Sequence, residues 1–297
     1  MIISGFLLNA STNNFIGKIE DCAAAYLKAK GNVGIMISTI KGKRVRHFGY
    51  GRTKQEGDVI PNERSVFEIG SISKVFTAIV IEKLRQQQLL HYSSPIHTYF
   101  PGLNRTFSYQ SKAITIEHLI THTSGFPKMP GNWLKTLRDV NRPYVHYHRR
   151  DLMEYLKEVQ LNRMPGTRYR YSNLNYALLG LIIEQTGGRS YEDQLSHIIF
   201  SPLHMQDSHI ASRTDLKSQM VTGHQLGKPV PYWQMGVFQA AGNIKSTPHD
   251  MMNFLRVNLR QGDSSLYSLF RPCHATRYHN KKKKIEIALG WHIESLK

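Results

Sequence analysis

The sequence predicts a mixed α/β (α+β) fold in which an antiparallel sheet flanked by helices is interrupted by an all-helical lobe. Three observations predict it. Strand-like stretches occur early, in "VGIMIST" and "RVRHFGYG", and return at the end in "KIEIALGWHIESLK". Between about His91 and Trp233 strand patterns are scarce, and helical pieces alternate with loops containing Pro and Gly. No repeat or low-complexity linker separates these parts, so the strand-rich ends read as one layer with a cleft against the helical insertion. The expected division is 1–90 with 236–297 as the α/β part and 91–235 as the helical part.

Taken in order, Phe15 to Lys30 reads as an amphipathic helix ending near Gly31. The two strands that follow are joined by a turn at Lys41 to Lys43, and "SVFEIG" is a further extended segment. After Ser71 the apolar residues Ile72, Val75, Phe76, Ile79, Val80 and Leu84 recur at helical spacing over a wide face, as in a central, buried helix. "YALLGLIIEQTGG" is a helix stopped by Gly187 and Gly188. In "STPHDMMNFLRVNLRQG", Thr247 is the expected N-cap, Pro248 fits the first helical position, and Asp250 sits where a capping-box acid would.

Composition narrows the class. Hydrophobic residues make up 40% and charged residues 20% of the 297, ordinary for a folded soluble chain. The cleanest apolar run, Tyr176 to Ile183, is far shorter than the roughly 20 residues that span a bilayer. Cys22 and Cys273 form neither a metal-like nor a redox-like pair. The N-terminal "MIISGFLLNAS" is apolar but lacks a basic start and a clear cleavage site, so it is a weak export signal. Net charge is extreme at +18, which favours a polyanionic neighbour such as an acidic cell-wall polymer. Its one dense run, Lys281 to Lys284, sits where a solvated hairpin tip would. No nucleic-acid-binding signature accompanies the charge.

Four residues carry chemistry. Ser71 and Lys74 are three apart, so on a helix their side chains share a face. A serine needs a neighbour to take its proton, and a desolvated lysine can serve. If Ser71 opens the helix, its N–H is an unpaired donor able to hold an oxyanion. The competing reading is that Ser71 or Ser73 caps the helix and Lys74 reaches solvent. Tyr171 and Asn173 form Y-x-N before a helix, as proton relay and substrate clamp, or as a packing aromatic and an N-cap. His118 and His122 have a metal-like spacing but lack the acid between them, and "VHYHRRD" reads as a solvated loop.

Together these surroundings resemble the serine β-lactamase and penicillin-binding protein superfamily, in its class C-like branch. "FEIGSISKVFTA" is similar to the nucleophile region and "ITIEHLITHTSGFP" to the loop after the first helices. "MPGTRYRYSNLNYALLGLIIEQTGGRSYEDQLSHIIFSPLHM" resembles the Y-x-N region, and "AAGNIKSTPHDMMNFL" the segment bordering the cleft. The resemblance implies a β-lactamase/transpeptidase-like fold. It implies a serine hydrolase acting through an acyl-enzyme on a β-lactam or a D-Ala-D-Ala-like peptide, with a small ester or no turnover at all as alternatives. Ser71 would be the nucleophile, Lys74 and Tyr171 would share the proton work, and Asn173 would bind substrate. No metal or organic cofactor is implied. The resemblance implies a periplasmic or cell-surface chain, as most relatives are exported; a cytoplasmic chain is the alternative, since no clear signal peptide is present. The family's third motif, K-T-G or H-x-G, is expected some tens of residues beyond "ALGWHIESLK", and no K-T-G occurs in this chain. The sheet is therefore expected to be incomplete at its C-terminal side.

Overall fold

The structure is a computed structural model that describes residues 12–54, 56–103, 106–261, 264–280 and 284–294. The apolar N-terminal stretch 1–11 and Lys281 to Lys283 lie outside the described residues.

Helix α1 (Thr12–Lys28) leads into the hairpin β1 (Gly34–Lys41) and β2 (Arg44–Gly51), in antiparallel register from Gly34 opposite Gly51 to Lys41 opposite Arg44. The turn falls at Gly42 and Lys43 as expected. The short strand β3 (Phe67–Glu68) precedes a 3₁₀ turn at Gly70–Ile72 and then α2 (Ser73–Gln86). A small hairpin of β4 (Ser108–Tyr109) and β5 (Lys112–Ala113) follows. Next come α3 (Ile116–Ile120), α4 (Arg149–Glu158), α5 (Asn173–Gly187) and α6 (Tyr191–Leu195). A second small hairpin joins β6 (Gly223–Gln225) to β7 (Lys228–Val230). The chain continues through α7 (Gln239–Gly242), β8 (Lys245–Ser246), α8 (Pro248–Asn258) and α9 (Ser264–Phe270). A meander of β9 (Tyr278–Asn280), β10 (Ile285–Ile287) and β11 (His292–Ile293) completes the described elements.

The core is built on α2 and α5. Phe76, Ile79, Val80, Ile81 and Leu84 of α2 are buried. Each is worth about 1.5–3 kcal/mol of apolar burial. Phe76 stacks on Phe254 of α8 at 4.3 Å and meets Phe200 edge-on at 6.1 Å. Helix α5 is buried from Asn173 to Ile183, as a helix apolar on all sides must be. It ends at Gly188, whose φ of +66° supplies the left-handed cap expected from the glycine pair. Gly290, in the turn between β10 and β11, lies against α2: a Cβ there would come within 2.9 Å of the Lys74 carbonyl oxygen. The C-terminal meander thus packs on the helix that carries Lys74.

Several local expectations are corrected. The expected antiparallel pairing is present as small sheets, while two of the hairpins interrupt the region read as all-helical. Helix α2 begins at Ser73, so Ser71 sits in the 3₁₀ turn ahead of it. The N-cap of α5 is Ser172, whose hydroxyl accepts from the Asn175 N–H, and Asn173 is the first helical residue. Thr247 does cap α8. Asp250 instead turns its carboxylate to the Asp207 N–H and the Ser208 hydroxyl. The strands β9 and β10 on either side of the lysine run pair with one another; Lys281 to Lys283 themselves lie outside the described residues.

Candidate active site

The turn that presents Ser71 depends on Gly70, at φ +53°. A side chain there would meet nothing within 4 Å, so glycine serves the backbone conformation, not a lack of room. Hydrogen bonds from Ile69 N to Ile244 O (3.0 Å) and from Ile244 N to Ser73 Oγ (3.2 Å) fasten this turn to the segment entering β8. The Ser71 N–H has no acceptor among the described residues, as the first-turn position dictates.

Lys74 lies one helical turn on and is 3% exposed, so it does not reach solvent. Its Nζ donates to Ser71 Oγ at 3.2 Å and to the Ala241 carbonyl of α7 at 2.5 Å. It also sits 4.8 Å from the ring centre of Tyr171 and 5.4 Å from that of Tyr176. Burial, and secondarily the charge of Lys128, push its pKa down to about 7. The amine is therefore substantially neutral near physiological pH and can accept a proton.

Tyr171 closes the group. Its hydroxyl is 2.6 Å from Ser71 Oγ. Burial raises its pKa, only partly opposed by the bond to Ser71, so the phenol keeps its proton at neutral pH. Behind it stands His122, 4% exposed, with its ring 4.7 Å from that of Tyr171 and 5.1 Å from that of Tyr176. His122 Nδ1 accepts the Ser172 N–H at 3.1 Å, which leaves the ring proton on Nε2. Burial, then the nearby Lys74 and His292, hold His122 well below its ordinary pKa, so it stays neutral. His122 adopts φ +58°, unusual for a side chain of this size.

Asn173 shares the segment with Tyr171 but forms no hydrogen bond with Ser71, Lys74 or Tyr171. Its Nδ2 approaches Met129 Sδ at 3.8 Å. Its Oδ1 is buried without a hydrogen-bond partner, and the Tyr144 hydroxyl is its polar neighbour. Such an amide oxygen remains available to a ligand N–H.

The structure thus brings together three of the four sequence-predicted residues in direct contact and sets the fourth beside them. Sequence reasoning missed the Ala241 carbonyl, which the letters "AAGN" cannot signal, and the part played by His122, which it took only as a loop residue. His118 is occupied by the Thr115 N–H at its Nδ1. Among the described residues no group of three or more His, Cys, Asp or Glu is arranged to hold a metal. Among them, too, no helix is long and apolar enough to cross a membrane.

Known proteins resemble this chain in sequence and in fold. A family model described as beta-lactamase matches residues 19–296. Penicillin-binding protein 4* of Bacillus subtilis is 34% identical over 88% of this chain and 60% of its own length. The D-alanyl-D-alanine-carboxypeptidase/endopeptidase AmpH of Escherichia coli is 28% identical over 76% of this chain and 57% of its own. The chain therefore spans less than two thirds of these curated relatives. Among solved structures, an octameric penicillin-binding protein homologue from Pyrococcus abyssi superposes with a TM-score of 0.80, at 24% identity, over 94% of this chain and 65% of that one. A beta-lactamase/D-alanine carboxypeptidase from Yersinia pestis gives 0.76 at 22% identity, over 97% of this chain and 84% of that one.

Proposed function

Since the chain belongs to the beta-lactamase family, we propose that it is a serine hydrolase working through an acyl-enzyme on Ser71, with a β-lactam or a D-Ala-D-Ala-like peptide as substrate. One observation carries the reading. Ser71 Oγ is in hydrogen-bond contact with both a buried, proton-poor lysine and a protonated phenol.

The chemistry follows from those contacts. Neutral Lys74 takes the hydroxyl proton as Ser71 Oγ bonds to the substrate carbonyl carbon. The Ser71 N–H, with no acceptor of its own, faces the developing oxyanion. When the carbon–nitrogen bond breaks, the leaving nitrogen receives a proton from Tyr171, which Lys74 then replenishes. Water attacks the ester by the reverse proton route and frees Ser71. Asn173 offers its unpaired amide oxygen to an N–H on the substrate.

The test is intact mass of folded protein after exposure to benzylpenicillin, a D-Ala-D-Ala peptide thioester and a p-nitrophenyl ester, beside Ser71→Ala. An adduct on the wild type and none on the variant is the expected result. Acylation by the simple ester alone would shift the substrate class to small esters. No adduct from any of the three on folded protein would overturn the reading.

A further inference from the structure

One residue holds the backbone of Tyr171 from both sides. The N–H of Arg170, just before it, donates to the His122 carbonyl at 2.8 Å. The N–H of Ser172, just after it, donates to His122 Nδ1 at 3.1 Å. Ser172 is fully buried, so its N–H depends on that nitrogen for an acceptor. His122 makes both contacts from a left-handed backbone, φ +58°, which glycine adopts without strain. A histidine kept at such a position has a use for its side chain. The anchor is itself held. Its own N–H donates to the Leu119 carbonyl at 3.2 Å, and the Thr123 carbonyl beside it accepts the Gly166 N–H at 2.8 Å. The Tyr176 hydroxyl donates to the Ile120 carbonyl at 3.0 Å and ties α5 to the same loop. Around the imidazole, the rings of Tyr171 and Tyr176 pack at 4.7 and 5.1 Å. Tyr169 meets it edge-on at 5.8 Å and is held in turn by His292 of β11 at 2.9 Å.

We propose that His122 is a positioning residue for Tyr171: by clamping the N–H groups on either side, it aims the Tyr171 hydroxyl at Ser71 Oγ and so sets proton delivery to the leaving group. The inference rests on the serine-hydrolase reading above and deepens it. His122 forms no hydrogen bond with Ser71 or Lys74 and acts through Tyr171 alone. The clamp needs an unprotonated Nδ1, which the buried, neutral ring provides. Its loss has a specific signature. A proton donor displaced by about 1 Å loses up to about 100-fold in rate. That loss falls on leaving groups that must be protonated as they depart, such as alkoxides and amide nitrogens. A p-nitrophenolate departs without that help.

The experiment compares ethyl butyrate with p-nitrophenyl butyrate on wild type, His122→Phe and His122→Asn. The two esters share an acyl group and differ in the proton demand of the leaving group. Phenylalanine keeps a ring against Tyr171 and Tyr176 and removes the acceptor. Asparagine removes the ring, tolerates the left-handed backbone and carries an amide oxygen in place of Nδ1. The readout is the ethyl-to-p-nitrophenyl ratio of kcat/KM. It is expected to fall about tenfold to hundredfold in His122→Phe and to stay within about threefold of wild type in His122→Asn. An unchanged ratio in His122→Phe would overturn the proposal, because a merely structural role lowers both esters together. An equal fall in both variants would overturn it too. A second readout does not depend on turnover. In protein carrying an isotopic label at the tyrosine Cζ, the Tyr171 resonance, assigned with Tyr171→Phe, reports the bond to Ser71 Oγ. It is expected to move in His122→Phe and to stay in place in His122→Asn. If the wild type hydrolyses neither ester, the hydrolase reading fails, and this resonance still decides the clamp: no movement in His122→Phe overturns it. If His122→Phe does not fold, nitrogen NMR of the wild-type imidazole decides. A bare, hydrogen-bonded Nδ1 supports the clamp, and a proton on Nδ1 overturns it.

Discussion

Replacing Lys74 by Met is expected to make the protein more stable while ending acylation. The magnitude comes from the burial of the amine. Its pKa falls from 10.5 in the unfolded chain to about 7 in the fold. At about 1.4 kcal/mol per pKa unit, the folded state at pH 7 carries a penalty of about 4 kcal/mol relative to a neutral side chain. Methionine has similar length and no charge, but it leaves the Ala241 carbonyl without its donor. That loss costs about 1–3 kcal/mol. The net expectation is a gain of about 1–3 kcal/mol at pH 7, read from urea unfolding followed by circular dichroism. The pH dependence gives an independent sign. The folded amine releases its proton more readily than the unfolded one, so the unfolded chain binds more protons between the two pKa values. Wild-type stability is therefore lowest below about 7 and rises with pH, by about 1 kcal/mol between pH 7 and about pH 8, below the ordinary range of cysteine and tyrosine. In Lys74→Met this rise should vanish. A variant less stable than wild type at pH 7, together with a flat wild-type profile, would refute the claim that Lys74 is held as a strained, proton-poor amine.

Two further substitutions probe the frame around that amine. Gly290→Ala places a Cβ 2.9 Å from the Lys74 carbonyl oxygen at a residue with φ +78°, and should cost about 2–4 kcal/mol in urea unfolding and slow acylation. Gly102→Ala, with open space around its Cβ, is the control and should fall within about 0.5 kcal/mol of wild type. Thr77→Val removes the hydroxyl that donates to the Ala240 carbonyl and meets the Tyr191 hydroxyl, both at 2.7 Å. It should destabilise by about 2–3 kcal/mol, and adding Tyr191→Phe should recover part of that, because an unsatisfied buried hydroxyl costs more than an absent one.

What the sequence showed and what it hid divide along a physical line. Side-chain periodicity made α2 and the first hairpin legible, because each must turn a definite set of apolar residues inward, while α5 was legible from its apolar run and its closing glycine pair. Caps were legible where one side chain does the work, as at Thr247, and less so where two compete, as at Ser172 and Asn173. The strands β3 and β8 span two residues each, too few for any alternation to register; β3 was legible only as the extended segment "SVFEIG", and β8 was not. The site shows the same split. Ser71, Lys74 and Tyr171 meet through their side chains, with the Asn173 amide beside them, and all four could be named from their letters. The Ala240 and Ala241 carbonyls, which hold Thr77 and Lys74, belong to residues whose letters carry no polarity. The position of His122 behind Tyr171 depends on a left-handed backbone that nothing in "HTSG" demands.

The treatment of buried charge argues that Lys74 is retained for chemistry and not for the fold. Helix α2 also buries Glu82, at 0% exposure. Burial would push that carboxyl up, but hydrogen bonds from Arg85, Tyr92 and Gln86 outweigh it and hold the carboxylate ionised. Lys245 is a second buried lysine at 8% exposure. Burial lowers its pKa too, but Glu68 and Glu192 oppose part of that fall, and the Ile210 carbonyl accepts from it at 2.9 Å. Both groups have acquired the opposite charge that a structural ion needs in order to be tolerated. Lys74 has acquired the reverse: neutral oxygens, two aromatic faces and a like charge at Lys128. A fold selected only for stability would pair this lysine or replace it with an apolar residue of the same length. Its isolation costs stability at neutral pH and yields an amine able to take the Ser71 proton, which is the exchange expected of a residue kept for its reactivity.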